Sequence, residues 1–157
     1  MAETNLHFVE LEEKTDPTGF TSDTHLVVKR VIVVSNDVTT VAGPLGENDM
    51  HIDGESWCDN FFKGGTWKQT SYNNNFRKQY AGKGFIYDAA KDKFLYQQPF
   101  NSWALDGNDD WQAPVTYPTD TTDKNISWDE AGQKWTAKDQ DNNSYNWDAS
   151  GLTWVSA

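Results

Sequence analysis

The sequence holds a single cysteine, Cys58, two methionines and five prolines in 157 residues. One cysteine excludes an internal disulfide and any metal cluster built from several thiolates. Aliphatic material is also scarce. Leu, Ile, Val and Phe together number 29, and with a formal charge of -11 that places the chain near the compositions that fail to build a core. No uncharged apolar run approaches the ~18 residues of a membrane span, and the first residues lack the basic and apolar regions of a secretory leader. A membrane partner and a cleaved leader are therefore not expected.

Aromatic residues supply what the aliphatics do not. Eight Trp, six Tyr and eight Phe can each bury on the order of 150 to 250 Å², enough for an ordered domain with a thin core built on rings. Charge is divided along the chain. Residues 1–56 carry 3 basic and 11 acidic side chains, residues 57–100 carry 7 and 3, and residues 101–157 carry 3 and 10. Nucleic-acid affinity comes largely from Lys and Arg on phosphate, so no nucleic-acid partner is expected, and the basic middle reads as internal charge complementarity.

Leu26 to Val34, with seven of nine residues apolar and five of them Val, reads as a largely buried strand. Leu6 to Glu12 alternates more loosely, with His7, Val9 and Leu11 on one face, and Asp16-Pro17-Thr18-Gly19 has turn chemistry. The two make a hairpin. Ser35 to Asp53 is rich in turn formers and reads as a surface loop. One short helix is expected at about 53–63, capped by Asp53, with Trp57, Cys58, Phe61 and Phe62 on its apolar face and Gly64-Gly65 ending it. Cys58 there is a buried structural thiol.

After Thr66 the chain becomes a series of aromatic segments separated by Asp, Asn, Gly and Pro, the pattern of successive β-hairpins. Phe85-Ile86-Tyr87-Asp88 leads to Phe94, Trp103-Ala104-Leu105-Asp106 to Trp111, Ile126-Ser127-Trp128-Asp129 to Trp135, and Tyr145-Asn146-Trp147-Asp148 to Trp154. In three of these units a ring (Tyr87, Trp128, Trp147) is followed by Asp and answered by another ring seven residues later. Such rings become cross-strand neighbours on one face, with the Asp bonding the amides of its own turn. The expected fold class is α+β, mainly antiparallel β: an N-terminal hairpin and one short helix over residues 1–75, then an aromatic hairpin region over 76–157, joined near Phe76 to Lys83 or continuous. An isolated ribbon is marginal, so the ribbons stack on one another or on a neighbouring protein.

Catalytic and metal-binding patterns are weak. Asp139, Asp141 and Asn143 open like a calcium loop, but Ser144 stands where its Gly is needed and Ser150 where its bidentate Glu is needed. A hydrophilic turn is the favoured reading, as it is for Asp106, Asp109 and Asp110. His7, His25 and His51 are scattered, no serine sits in a nucleophile turn, and 24 carboxylates form pairs by chance alone. No enzyme, cofactor or metal is expected. Trp faces beside Asp and Asn also suit sugar stacking, so Trp128, Trp135, Trp147 and Trp154 are the candidate assembly or glycan contacts, Trp147 and Trp154 first.

Read in order, Trp67-Lys68-Gln69-Thr70-Ser71-Tyr72-Asn73, Phe76-Arg77-Lys78, Tyr80-Ala81-Gly82, Gly84-Phe85-Ile86-Tyr87-Asp88, Asp92-Lys93-Phe94, Pro99-Phe100-Asn101-Ser102-Trp103, Trp111-Gln112-Ala113-Pro114-Val115, Tyr117-Pro118 and Trp128-Asp129-Glu130 form a distinctive series. This series resembles a family of small virion structural proteins of tailed bacteriophages that infect marine cyanobacteria and other ocean bacteria. The resemblance covers roughly residues 57–135, extended towards the N-terminus by His7-Phe8, Val31-Ile32-Val33-Val34 and Asn36-Asp37. It implies a particle component made in the host cytoplasm, oligomeric in the particle and partnered by coat or other virion proteins. A decoration or cement protein on the capsid exterior is the expectation, with a tail subunit binding host glycans as the alternative. The family offers no catalytic residues to carry over. This chain departs from its pattern in adding Ala137 to Ala157, a further Trp-Asp unit.

Overall fold

The computed structural model describes residues 5–40, 43–45 and 52–157. They form an α+β structure, mostly antiparallel strand with one short helix, in two compact units, residues 1–97 and 98–157.

In the first unit β1 (Asn5–Thr15) pairs antiparallel with β2 (Thr24–Ser35), from Asn5↔Ser35 to Thr15↔Thr24. The turn between them is organised by Asp16, whose carboxylate accepts the Thr18 and Thr21 amides at 2.9 and 3.0 Å and both threonine hydroxyls. Lys29 is an extra residue on β2, because Glu10 faces Arg30 while Leu11 faces Val28. β5 (Thr66–Thr70) pairs with the other side of β1, and β6 (Ile86–Asp88) with the first half of β2, followed by β7 (Lys93–Leu95). The order is β5-β1-β2-β6-β7.

Both faces of this sheet are covered. Leu6 and Phe8 point to one side, with Val34, Leu45, Cys58 and Trp67, while Val9 and Leu11 point to the other, with Val28, Ala81, Tyr87 and Phe94. The alternation expected for β1 therefore carries two apolar sets, not one. That explains how few aliphatic residues suffice: each strand residue has a packed face to enter.

The helix α1 runs Ile52–Phe61, so Asp53 sits inside the first turn and is not its cap. Gly54 is needed there, because a Cβ at this position would fall 2.3 Å from the Phe8 ring. The helix stops as expected at the glycines: Gly64 donates to the Asp59 carbonyl at 2.8 Å, Lys63 is left-handed, and Gly64 and Gly65 also have positive φ. Cys58 is buried, but Phe61 is exposed and stacks on Trp57. The stretch read as a surface loop contains a small ribbon of β3 (Thr39–Thr40) and β4 (Gly43–Pro44), after which Leu45 enters the core. His51 lies outside the described residues.

The second unit begins with a two-stranded ribbon, β8 (Ala104–Leu105) and β9 (Trp111–Gln112). A four-stranded meander follows: β10 (Asn125–Asp129), β11 (Lys134–Lys138), β12 (Ser144–Asp148) and β13 (Thr153–Ser156). Trp128, Trp135 and Trp147 are its buried core, with Phe100, Trp103, Ala113, Val115, Ile126 and Trp154 packed around them. The two compact units divide between residues 97 and 98. Although the Tyr87–Phe94 ribbon belongs by sequence to the aromatic series, Leu26↔Tyr87 and Val27↔Ile86 pairing fixes it to β2.

Candidate functional site: the aromatic ribbons

The ring pairs read from the sequence form as cross-strand neighbours. Tyr87 faces Phe94, Trp128 faces Trp135 and Trp147 faces Trp154, with ring centroids 5.2, 5.0 and 5.0 Å apart and planes inclined by 52 to 67°. These are the tilted and edge-to-face arrangements that the ring quadrupole favours. The Asp that follows each first ring closes its turn: Asp88 accepts the Lys91 amide, Asp129 the Gly132 amide, and Asp148 the Ser150 and Gly151 amides, all at 3.1 to 3.2 Å. The last turn residue is left-handed in each, at Asp92, Gln133 and Leu152. In the fourth unit Leu105 faces Trp111 instead, and Trp103 turns into the core against Trp128 and Trp135.

Indole N–H groups tie the irregular chain to the meander. Trp135 Nε1 donates to the Val115 carbonyl and Trp154 Nε1 to the Asp120 carbonyl, each at 2.8 Å. Trp128 Nε1 donates to Glu130 at 2.7 Å, and the same carboxylate accepts the Ser102 amide and hydroxyl at 2.9 and 2.7 Å. These bonds, the Ser102 hydroxyl first, hold the Glu130 carboxyl below its usual range. Glu130 thus fixes segment 100–103 against the core, a role that nothing in its neighbours Asp129 and Ala131 signals.

Of the four candidate contact residues, Trp128, Trp135 and Trp147 are buried and Trp154 is partly buried. The reason is compositional: the unit has little else with which to fill its core, and burying an indole stabilises more than leaving it in water. The structure brings all four onto one face of the meander but leaves no flat, open Trp surface. What it exposes is different. A shallow cleft of about 440 Å³ is lined by residues that include Pro114, Val115, Thr116, Tyr117, Trp147 and Leu152. Tyr117 is 53% and Leu152 61% exposed. Tyr117 packs edge-to-face on Trp135 at 5.0 Å. Neither residue was legible as a surface feature, because each sits in a stretch with the composition of an ordinary turn.

In the first unit the basic middle of the chain is used internally around Arg77. Its guanidinium, with the side chain 7% exposed, donates from Nη1 to Glu55 at 2.9 Å and to the Gln69 carbonyl at 2.9 Å, and from Nε to Asp92 at 2.8 Å. Glu55 also accepts the Gln69 amide at 2.7 Å, and the Tyr87 hydroxyl donates to Asp92. Burial, and then the Asp92 carboxylate, push the Tyr87 phenol up to about 12. Burial opposes the ionised form of Asp92, yet the Tyr87 and Arg77 bonds outweigh it and hold that carboxyl low. The network joins α1, β5 and the β6–β7 turn.

The remaining sequence candidates resolve similarly. Asp139 Oδ1 accepts the Asp141 and Asn143 amides, and Oδ2 accepts the Asn143 side chain and the Tyr145 hydroxyl. Both oxygens are engaged by the turn itself. Among the described residues no group of three or more His, Cys, Asp or Glu is placed to hold a metal ion. Burial, then the nearby Glu55 charge, push the Cys58 thiol up to about 12, which removes it as a nucleophile near neutral pH. His7 stacks with Tyr72 and meets Tyr80 edge-on. No helix among the described residues is long and apolar enough to cross a membrane. Comparison with protein-family models, with curated proteins and with solved structures returns no match.

Proposed function

We propose that this chain is a non-enzymatic structural protein of a tailed-phage virion, serving as a decoration or cement protein on the exterior of the capsid with the coat protein as partner. The observation that carries the reading is the unfinished state of the second unit's sheet, bounded by β10 and β13; in the first sheet the backbone groups of Gln69 on β5 and Phe94 on β7 are bonded within the chain. Unpaired strand edges are association surfaces. The ordered motifs of residues 57–135 support the virion assignment. The -11 charge suits an outward-facing site away from packaged DNA. Quantitative mass spectrometry and antibody labelling of purified particles test the proposal. Hundreds of copies spread over the head are expected, and a protein present in infected-cell lysate but absent from virions overturns it.

The cleft at Tyr117 and Leu152 favours a second reading, a tail subunit that binds host glycans. Labelling confined to one vertex, with glycan binding lost in Tyr117→Ala, would select it over decoration.

A further inference from the structure

The second unit contains a sequence repeat. Trp128, Asp129, Gly132 and Trp135 recur as Trp147, Asp148, Gly151 and Trp154, a shift of 19 residues. The two copies of this repeat are joined where β11 meets β12, through Thr136↔Asn146, Ala137↔Tyr145 and Lys138↔Ser144. Shifted by one repeat, the β11 side of that junction becomes Val155, Ser156 and Ala157, and the β12 side becomes Ser127, Ile126 and Asn125. Those residues lie on β13 and its extension and on β10, the two outer edges of the same sheet. The junction that joins the repeats within one chain is therefore available, half on each edge, between chains.

Two further observations support β13 as a pairing edge. The Ala157 amide donates to the Ser144 carbonyl at 2.9 Å, so by antiparallel alternation the amide and carbonyl of Ser156 point away from β12. Natural edges are blunted by charge, proline or a bulge. β5 carries Lys68 and β7 carries Lys93, whereas Thr153–Ser156 has no charged residue and no proline, and its register with β12 is unbroken. Val155 is 50% exposed, and Trp154, on the core face, is only partly buried.

We propose that copies of this chain associate head to tail, β13 of one pairing antiparallel with β10 of the next in the register Val155↔Ser127, Ser156↔Ile126 and Ala157↔Asn125. The interface is heterologous, so repetition gives a closed ring or an open series, not a two-fold dimer. Residues 98–157 carry 3 basic and 10 acidic side chains. The copies repel at low ionic strength, and salt strengthens their association by screening. The inference concerns copies of this chain and holds wherever the protein is located.

Cysteines test the register on the full chain. Ser127 and Val155 are exposed and would face each other as a non-hydrogen-bonded pair, with Cα atoms about 4.5 Å apart, within disulfide reach. The double variant Ser127→Cys/Val155→Cys is expected to give a ladder of dimers and higher species on mild oxidation, more strongly at high salt, while neither single variant cross-links. Cys58, buried and with its thiol pushed up to about 12, stays unreactive. Adding Ser156→Pro, which removes the outward amide, is expected to abolish the ladder with the near-ultraviolet circular dichroism of the Trp pairs intact. Dimers from either single variant, a ladder that survives Ser156→Pro, or a double variant that sediments as monomer at every concentration and salt would each overturn the proposal.

Discussion

Trp128 lies directly opposite Trp135 across β10 and β11, ring centroids 5.0 Å apart, and both indole N–H groups are engaged, one by Glu130 and the other by the Val115 carbonyl. The pair is at once packing core and anchor for the irregular chain around it. Trp128→Ala is therefore expected to cost about 3 to 5 kcal/mol, the range of large-to-small changes in a core. A double-mutant cycle with Trp135→Ala should return a coupling of about 0.5 to 1.5 kcal/mol beyond area burial. Urea unfolding followed by circular dichroism checks both, and additive losses would show that the rings fill space without specific pairing.

Gly54 is a test of how closely α1 approaches the sheet. In Gly54→Ala the added methyl would sit 2.3 Å from the Phe8 ring and 3.2 Å from Leu45, and Phe8 is fully buried. The helix propensity gained, up to about 1 kcal/mol, is smaller than the overpacking expected at such a distance, about 1 to 3 kcal/mol. A net loss of stability in denaturant unfolding is expected. A net gain would mean that the helix can lift from Phe8 freely.

These two sites mark what the sequence discloses and what it hides. The ring pairs were legible because three local features coincide in each ribbon: a ring, the Asp that closes the turn, and a second ring at the spacing that a four-residue loop imposes. The β1–β2 hairpin was legible from its valines and from Asp16-Pro17-Thr18-Gly19. Long-range choices were not. Nothing local states that the Tyr87–Phe94 ribbon pairs with β2, that Leu45 enters the core from a turn-rich stretch, or that Arg77 reaches Glu55 and Asp92 at once. Nor can composition separate a Trp kept for a ligand from one needed inside. Trp147 had the right neighbours for a sugar platform and is buried in the core, so that of the residues lining the cleft it is Tyr117 and Leu152 that are exposed.

Arg77→Met tests whether the polar network holds the first unit together. The substitution leaves Glu55 and Asp92 without the guanidinium between them, and Glu55 is largely enclosed, 14% of its side chain exposed. Removing one partner of a fully buried pair costs about 3 to 5 kcal/mol; the loss here is expected below that range, because Lys68 remains 3.7 Å from Glu55 and the Asp92 side chain is 51% exposed. Arg77→Lys, which keeps charge but loses the fork that serves Glu55, Asp92 and the Gln69 carbonyl together, is expected to recover only part of it. Unfolding midpoints of the three proteins, compared at neutral pH, decide the matter. Full recovery by Lys would reduce the network to simple charge neutralisation.

Asp139 and Asp16 set the behaviour in acid. Each carboxyl is held down to about 2 from an ordinary value of 3.8, Asp139 first by the Asn143 side chain and Asp16 first by the Thr18 hydroxyl. Above an unfolded value near 3.8 both are ionised in the folded and unfolded chain, and their contribution to stability is fully present. As pH falls from there towards 2 the unfolded chain takes up its protons first, so stability declines over that window and is lost below the folded value. Asp139→Asn, which retains an acceptor but cannot ionise, should flatten part of this decline while lowering stability at neutral pH, since the amide cannot accept all four bonds. Urea unfolding at a series of pH values between about 2 and 6 reads the slope directly. An unchanged slope in Asp139→Asn would show that the turn's hydrogen bonds do not distinguish the ionised carboxyl from the neutral one, and would remove the Asx turn from the forces that set the β11–β12 connection.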